Sequence, residues 1–314
     1  MSGALLLEAA ARSTVGNTLI ETPKELSKLD DAQPGDVFVL KDGTWKDVVI
    51  YVKRGGDAKN AVVLRAQTPG KVRFTGECGV HLTAPYVTLD GFVFSGPHEK
   101  NSVVTLRSHN GVLQNCAFVG LKPGKPTTES RWLWFQGPEN LVTNCYFTGK
   151  NNAGTVVHND GYRGRSNTVC ACLFKDIDFS PVLRQLNPIF NIFGPDETDE
   201  DGSFFTIEGN LFDHANGEDQ LLVIKSSRNR IVRNTILESR GVINLRDPPR
   251  GGRSRHPPQR RRRLRRGPHG RLRGVHGTRP HREARTLRVT DRPGQTGHDE
   301  WPDPVLCAGQ TGHH

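Results

Sequence analysis

The residues best suited to chemistry lie in one short stretch, 215–246. Lys225 stands in an otherwise apolar segment, LLVIKSS, and Glu218 and Gln220 precede it. Arg246 ends a second apolar segment, GVINLR, 21 residues further on. In general a lysine can move a proton and an arginine can stabilise developing negative charge, provided that both face one ligand. Taken alone, Lys225 is better explained as a surface lysine whose stem covers apolar residues, so its role depends on the elements that position it.

A repeat through the first 246 residues predicts those elements. Its units read VTLDGFVF, GVLQNCAF, NLVTNCYF, NTVCACLF, FTIEGNLF and RIVRNTIL. They end at Phe94, Phe118, Phe147, Phe174, Phe212 and Leu237, with spacings of 24, 29, 27, 38 and 25 residues. Each unit alternates apolar and polar residues and then turns at Gly, Asn or Asp. That pattern indicates a short strand with one buried face.

The repeat length selects the fold class. Helical periodicity is nearly absent between the units, which argues against alternating strands and helices. A propeller blade needs roughly 40–45 residues, which is too long. We therefore expect an all-β fold, a right-handed single-stranded parallel β-helix with three short strands per coil. Lys225 and Arg246 are separated by close to one coil, so they should project from neighbouring coils on the same face.

Stacking gives the residues around each unit a structural meaning. Cys116, Cys145 and Cys172 lie two residues before the phenylalanine of their units and should form an inward ladder. The phenylalanines should form a second ladder. Asn115 and Asn144 should form a polar ladder at a bend, where asparagine tolerates unusual backbone angles.

The cysteines indicate neither a metal site nor a catalytic thiol. Cys170 and Cys172 form C-x-C, and no second pair with zinc-ligand spacing follows. We expect buried, unpaired thiols at all six positions: Cys78, Cys116, Cys145, Cys170, Cys172 and Cys307.

Two further segments are best explained by structural roles. Residues 25–45 predict a short amphipathic helix, a turn at Pro34 and Gly35, and a strand. Such a helix would cap the open first coil. The acidic segment 194–203 predicts a solvated surface loop, because it lacks the ligand spacing of an EF-hand calcium loop.

The net charge of +10 belongs to the C-terminal tail. Residues 247–314 hold 16 arginines against 6 acidic residues, whereas the rest of the chain is balanced. The tail is rich in Arg, Gly, Pro and His, and the strand pattern stops there. We expect a boundary at 246, with 1–17 and 247–314 outside the β-helix of 18–246. A disordered basic arm and a frameshift product are both open interpretations of the tail. The frameshift is favoured because the change of composition falls inside a sequence motif that begins before residue 246.

The stretch around Lys225 resembles polysaccharide lyase family 6, the chondroitinase B and alginate lyase family. The family pattern is NGE-x-E, four residues, KSS-x-N, then NT, then G-x-(I/L)-x-LRHG. This chain has NGEDQ, LLVI, KSSRN, NT and GVINLR, and the next residue departs from the pattern. The chain resembles a family member truncated or frameshifted after Arg246. Beside Glu218 and Arg246 at the family spacing, a functional role for Lys225 becomes the better interpretation.

The resemblance implies β-elimination at a uronic acid. Lys225 would be the base, so its pKa must fall through burial or a nearby cation. Arg246 would be the acid or would stabilise the leaving oxygen, and the high pKa of arginine favours the second role. Calcium would neutralise the carboxylate, bound by Asn187, Glu218 and the position of Gln220. Because Gln220 replaces a family glutamate, it supplies no charge, and calcium binding should be weaker or replaced by a nearby cation.

The resemblance also implies what the protein binds and where it acts. Arg163, Arg184 and His158 are candidates for binding a polyanionic sugar chain, although a surface ion pair explains each equally well. We expect an acidic polysaccharide substrate, a monomer, and neither nucleic acid nor membrane as a partner, since no segment approaches the roughly 20 apolar residues of a span. Family members imply a secreted or periplasmic protein, but the N-terminus lacks a basic region and is a poor signal peptide.

The leading function is a lyase acting on alginate, with chondroitin or dermatan sulfate as alternative substrates. A carbohydrate-binding β-helix without activity is the second hypothesis, favoured by Gln220. A nucleic-acid binder is not supported by the neutral body. A glycoside hydrolase would need a pair of carboxylates, and no pair stands out near Lys225.

Overall fold

The computed structural model describes residues 16–98, 101–160, 165–178, 188–193 and 202–245, and the backbone of 286–287. Through these ranges the chain forms a right-handed parallel β-helix, as predicted. Successive strands go to three different sheets, which we name A, B and C, and each strand pairs in parallel with the equivalent strand of the next coil.

Sheet A contains β1 (Asn17–Ile20), β2 (Val37–Leu40), β5 (Val62–Ala66), β8 (Val87–Asp90), β11 (Val112–Gln114), β14 (Leu141–Thr143), β17 (Thr168–Cys170), β20 (Thr206–Glu208) and β23 (Arg230–Val232). Sheet B contains β3 (Gly43–Lys46), β6 (Val72–Thr75), β9 (Phe92–Ser95), β12 (Ala117–Val119), β15 (Tyr146–Thr148), β18 (Leu173–Ile177), β21 (Leu211–Ala215) and β24 (Thr235–Leu237). Sheet C contains β4 (Val49–Val52), β7 (Gly79–Leu82), β10 (Ser102–Leu106), β13 (Arg131–Phe135), β16 (Val157–Asn159), β19 (Phe190–Phe193), β22 (Gln220–Lys225) and β25 (Val242–Leu245).

The predicted phenylalanine ladder forms the spine of the core. Consecutive rings of Phe94, Phe118, Phe147, Phe174 and Phe212 stack with centroid separations of 4.9, 4.8, 4.8 and 5.1 Å. These separations match the spacing of neighbouring strands. All five side chains are fully buried, so each ring contributes both apolar burial and about 0.5–1.5 kcal/mol of ring–ring contact per pair.

The end of the last repeat unit was assigned wrongly. Ile236, not Leu237, pairs with Phe212 in register. Leu237 pairs with Asp213 and is 44% exposed. The last unit was placed one residue too late, and because side chains alternate between the two faces of a strand, this slip exchanged an inward residue for an outward one.

The cysteine and asparagine ladders are confirmed. Cys116, Cys145 and Cys172 are buried and free, and the backbone N–H of Cys145 donates to Sγ of Cys172 at 3.4 Å. Burial raises the pKa of the Cys116 and Cys145 thiols well above the ordinary value, so they are structural. Asn115 and Asn144 hold the bend between sheets A and B, with φ of 54° and 52°.

The expectation of unpaired thiols also holds for Cys78, which is buried and free. It is wrong for Cys170, which is disulfide-bonded. Cys170 lies at the end of β17, paired in register with Thr143 and Glu208. That column is one residue away from the inward column of Val169, so Cys170 projects from the outer face of sheet A, where it can reach another segment. Cys307 lies outside the described residues.

A short helix covers the N-terminal end of the coil. It is a 3₁₀ helix, η1 (Pro23–Asp31), which contacts β1 and β4 and buries Leu29 in the core. Gly35, with φ of 91°, then turns the chain into β2, as the sequence predicted. No helix among the described residues is long and apolar enough to cross a membrane.

Several predicted features lie outside the described residues. They are the N-terminal segment up to residue 15, most of the acidic segment 194–203, and the tail except for one short strand. That strand, β26 (Thr286–Leu287), pairs antiparallel with β25 at the C-terminal edge of sheet C.

Candidate active site

A cleft of about 440 Å³ lies on the outer face of sheet C, over β13, β16, β19 and β22. Its walls include four of the predicted site residues: His158, Glu218, Gln220 and Lys225. The stacking of coils brings His158 of β16 to the same cleft as the other three residues, which lie on β22 or just before it, because only β19 separates the two strands in sheet C. This cleft is therefore the candidate active site.

A larger depression of about 860 Å³ follows the bend between sheets A and B. Apolar side chains and the asparagines of the bend line it, and no charged residue is among its described lining residues. The smaller cleft is the better candidate, because proton transfer and anion binding both need titratable or charged groups.

Lys225 is positioned at the end of β22. It pairs in register with Phe193 of β19, and its Nζ lies 4.2 Å from the centroid of the Phe193 ring. The side chain is half-buried. A cation over an aromatic face is held by the ring quadrupole, so Phe193 fixes the ammonium at the cleft surface.

Arg246 lies outside the described residues. Ile224 pairs with Leu245, and this offset of 21 residues equals the separation of Lys225 and Arg246 in the sequence.

Glu218 and Gln220 form a hydrogen-bonded pair beside Lys225. Nε2 of Gln220 donates to Oε1 of Glu218 at 3.1 Å. Oε1 of Gln220 in turn accepts from Nδ2 of Asn244 at 2.6 Å. The Glu218 side chain is buried, with 7% of the residue exposed. An amide donor facing a buried carboxylate satisfies one of its oxygens without adding a second charge.

The described part of the cleft presents fewer charged oxygen ligands than a calcium site usually has. Calcium takes six to eight oxygen ligands, several of them charged. No group of three or more His, Cys, Asp or Glu residues is arranged for a metal within the described ranges. Gln220 presents N–H donors to Glu218, where a second carboxylate would present oxygen. Asn187, the third expected ligand, lies outside the described residues.

His158 is one of the residues that line the cleft. Its ring contacts Trp134 edge-on, with centroids 5.6 Å apart, and Phe193 at 5.4 Å. Burial, together with the charges of Arg131 and Lys225, lowers its pKa to about 3. The imidazole is therefore neutral at ordinary pH. Its position between two cations indicates a pocket that favours an anion.

Three residues of the cleft were missed at the level of sequence: Glu129, Arg131 and Asn191. Arg131 lies 4.9 Å above the Trp134 ring and forms an ion pair of 2.6 Å with Glu129. A further hydrogen bond joins it to Asn101. These contacts hold the guanidinium in one orientation. Arg131 stands three coils before Lys225, so only the stacking of the coils reveals that they share a cleft.

Asn191 is the residue that register places next to His158. Its Oδ1 is buried and has no hydrogen-bond partner among the described residues. A buried, unpaired carbonyl oxygen is costly unless a ligand satisfies it. The signal available in the sequence was the segment QLNPIFNIFG, from which Asn187 was selected. Of the other candidates for sugar binding, Arg163 and Arg184 lie outside the described residues.

Comparisons with known proteins identify the family of the chain. Residues 20–250 match the family model described as Chondroitinase B. A PL6 family polysaccharide lyase from Pseudopedobacter saltans is 37% identical, with a TM-score of 0.70, and the match covers 73% of this chain and 54% of that enzyme. A search of curated protein sequences gave no match.

More distant structures agree on the fold. A PL6 family alginate lyase is 25% identical, with a TM-score of 0.67, over 74% of this chain and 33% of that enzyme. A mannuronic acid specific family 6 lyase from human gut microbiota is 21% identical, with a TM-score of 0.64, over 72% and 54%. The matched part of this chain thus spans about half of the Pseudopedobacter saltans and gut-microbiota enzymes and a third of the alginate lyase.

Proposed function

The chain belongs to the chondroitinase B family of PL6 polysaccharide lyases, and we propose that it cleaves an acidic polysaccharide by β-elimination at a uronate. The observation that carries the proposal is the placement of Lys225 in a cleft with a second cation, Arg131, on the far side of His158. Such a cleft suits one anionic sugar with a basic group beside it.

The proposed reaction breaks two bonds on adjacent carbons. A base takes the proton from the carbon that bears the carboxylate, the electron pair forms a carbon–carbon double bond, and the bond to the 4-linked oxygen breaks. The departing oxygen then takes up a proton. Lys225 in its neutral form is the proposed base, and the same ammonium, once formed, is one source of the proton for the leaving oxygen. We assign Arg246 to stabilising the charge on that oxygen.

Arg131 is the proposed partner of the substrate carboxylate. Charge accumulates on the carboxylate as the neighbouring proton leaves, so a fixed cation there stabilises the transition state more than the ground state. Glu129 and the Trp134 ring already orient the guanidinium, which reduces the reorganisation needed during reaction. Oδ1 of Asn191 is the proposed acceptor for a substrate hydroxyl. We expect calcium to bind weakly, because the side-chain N–H of Gln220 donates to a carboxylate oxygen of Glu218 that would otherwise be available to a cation.

We propose alginate as the preferred substrate. Alginate lyases stand among the similar structures, and alginate carries no sulfate, whereas chondroitin and dermatan sulfate would need additional cationic contacts. Arg163 and Arg184 remain proposed contacts to the polymer. We also propose that the protein acts outside the cytoplasm, where such polymers occur, and as a monomer. Size-exclusion chromatography with light scattering measures the oligomeric state.

The deciding experiment is an absorbance assay for newly formed unsaturated sugar ends on alginate, dermatan sulfate and pectate. Product on one polymer that disappears in Lys225→Ala supports the proposal. The matched control is Lys175→Ala, because Lys175 is a partly exposed lysine on sheet B that pairs with Asp213 at 3.9 Å. Absence of product on every polymer, from folded protein that still binds one of them, would favour the second candidate, a carbohydrate-binding β-helix without activity.

A further inference from the structure

The outer face of sheet C carries one continuous column of residues in register. It starts on the first strand of the sheet, β4, and runs through the candidate active site to the last parallel strand. Its members are Tyr51, His81, Thr105, Trp134, His158, Asn191, Val223 and Asn244. The cleft already described covers the later part of the column. The part nearest the N-terminus has no role in that cleft.

Tyr51 and His81 form an aromatic platform at the N-terminal end of the column. Their rings stack with centroids 4.7 Å apart and an interplanar angle of 32°. Tyr51 is 46% exposed, whereas its strand neighbours Ile50 and Val52 are buried in the core. A large aromatic surface left open to solvent on a rigid strand is a common feature of binding sites.

His81 gives a second, independent indication of a ligand. Only 8% of the residue is exposed, and its Nδ1 is buried with no hydrogen-bond partner among the described residues. Burial, with a smaller contribution from the charge of Arg107, lowers its pKa to about 4. The ring is therefore neutral at ordinary pH and packs against Tyr51 as a flat polar surface.

The charge around the platform favours an anion. Arg107 is exposed and follows directly after β10, and its backbone N–H donates to Leu82 O at 2.9 Å, at the end of the His81 strand. Lys53 follows Tyr51 by two residues and lies on the same face, although Asp30 pairs with it at 3.2 Å. An aromatic ring beside a cation suits a uronate, which presents an apolar ring face and a carboxylate.

We propose that Tyr51, His81 and Arg107 form a distal subsite that binds the arm of the acidic polysaccharide extending from the cleft towards the N-terminal end of the β-helix. This inference rests on the proposed function, because the same polymer must occupy both places. Three strand spacings separate Trp134 from Tyr51, roughly 14 Å. A trisaccharide bound in the cleft would not reach the platform, whereas a longer chain would contact both.

The test compares chain lengths in the full-length protein. Tyr51→Ala should weaken binding of alginate polymer, or raise its KM, by roughly three- to tenfold, which corresponds to the loss of one aromatic contact. Binding or turnover of a trisaccharide should not change. Tyr51→Phe should behave as the parent protein, because it keeps the ring. An equal loss on trisaccharide and polymer, or no loss on polymer, would overturn the proposal.

Val49→Ala is the matched control. Val49 lies on the same strand and the same face as Tyr51, and it is 41% exposed. If the polymer binds Tyr51 only through non-specific apolar contact, Tyr51→Ala and Val49→Ala will lose the same affinity for the polymer. That result would refute the subsite. Repeating the binding measurements in a Lys225→Ala background separates the two hypotheses, since affinity that depends on chain length does not require turnover.

Discussion

Lys225 and Phe193 are register partners on adjacent strands of sheet C, and the lysine ammonium lies 4.2 Å from the phenylalanine ring. This contact positions the proposed base at the surface of the cleft. Replacing Phe193 by Leu should remove the cation–π attraction, about 0.5–2 kcal/mol. We expect kcat/KM to fall up to roughly thirtyfold, measured by the rate of unsaturated product formation.

Phe204→Leu provides the control for that prediction. Phe204 is 38% exposed and has the guanidinium groups of Arg165 and Arg228 over its ring at 5.5 Å each. It therefore loses a comparable contact away from the cleft. If both leucine variants slow the reaction equally, the Phe193 contact has no specific role in positioning Lys225.

We expect Gln220 to set the affinity of the site for calcium, because it stands where a second carboxylate would be a ligand. In Gln220→Glu a second carboxylate would face Glu218 at the position where Nε2 now donates at 3.1 Å. Two like charges so close destabilise the fold unless a cation joins them. We expect a lower melting temperature in chelator and a larger rise on adding calcium than the parent protein shows.

The control for this prediction is Gln114→Glu, because Nε2 of Gln114 donates to Oδ2 of Asp90 at the same distance, 3.1 Å, on sheet A. Calcium should not restore its stability as it does for Gln220→Glu. A parent protein that binds calcium as tightly as Gln220→Glu does in a calorimetric titration would contradict the expectation that its calcium binding is weak.

The burial of Lys150 predicts that the free energy of unfolding rises at alkaline pH. Lys150 is 1% exposed, and its Nζ donates to the backbone oxygens of Asn152 and Ala153 and to Oδ1 of Asn152 at 2.9–3.2 Å. Burial lowers its pKa to about 7, against an ordinary value of 10.5. Between these two pH values the unfolded chain binds more protons than the folded chain, so the free energy of unfolding rises with pH.

The upper limit of the Lys150 effect is about 5 kcal/mol. Lys150→Met should flatten this part of the profile in denaturant titrations from pH 7 to 10. The variant also removes the donors that hold Asn152 and Ala153 near Gly154 and Thr155 of the cleft wall. An unchanged slope would show that burial does not lower the pKa of Lys150 in the folded protein.

His158 predicts sensitivity to acid. Its pKa is lowered to about 3 in the folded protein, against an ordinary value of 6.5. The folded state therefore resists protonation, and its stability falls as pH drops from 6.5 towards 3, by up to about 1.4 kcal/mol per pH unit. His158→Gln should reduce this slope, measured by denaturant titration at several pH values.

His109→Gln is the control for His158, since the ring of His109 also contacts an aromatic ring, Tyr86, with centroids 5.5 Å apart, but His109 does not line the cleft. A His158 variant with the acid sensitivity of the parent protein, or a His109 variant that reproduces its effect, would show that burial in the cleft does not depress the His158 pKa.

Much of the fold was predictable because its signal is local and repeated. A strand unit recurring at about 25 residues can bury its apolar face only by stacking on its neighbours, so the β-helix and its phenylalanine and cysteine ladders followed. The error at Leu237 and the disulfide at Cys170 mark the limits. A one-residue slip reverses every side chain of a strand, and which segment covers an outward cysteine depends on parts of the chain distant in sequence.

The candidate site divides in the same way. Glu218, Gln220 and Lys225 lie on one strand or just before it, so the resemblance of this short stretch to the family pattern was enough to group them as one candidate site. Arg131 and Asn191 come from earlier coils, and turns of unequal length separate those coils. Register across stacked coils is set by the packing of the whole core rather than by counting residues. The sequence by itself therefore determined the repeat, the coil and the chemistry of one strand. Only the tertiary structure decided which cations, aromatic rings and amides stand beside that strand, because their neighbours are chosen by stacking and not by order along the chain.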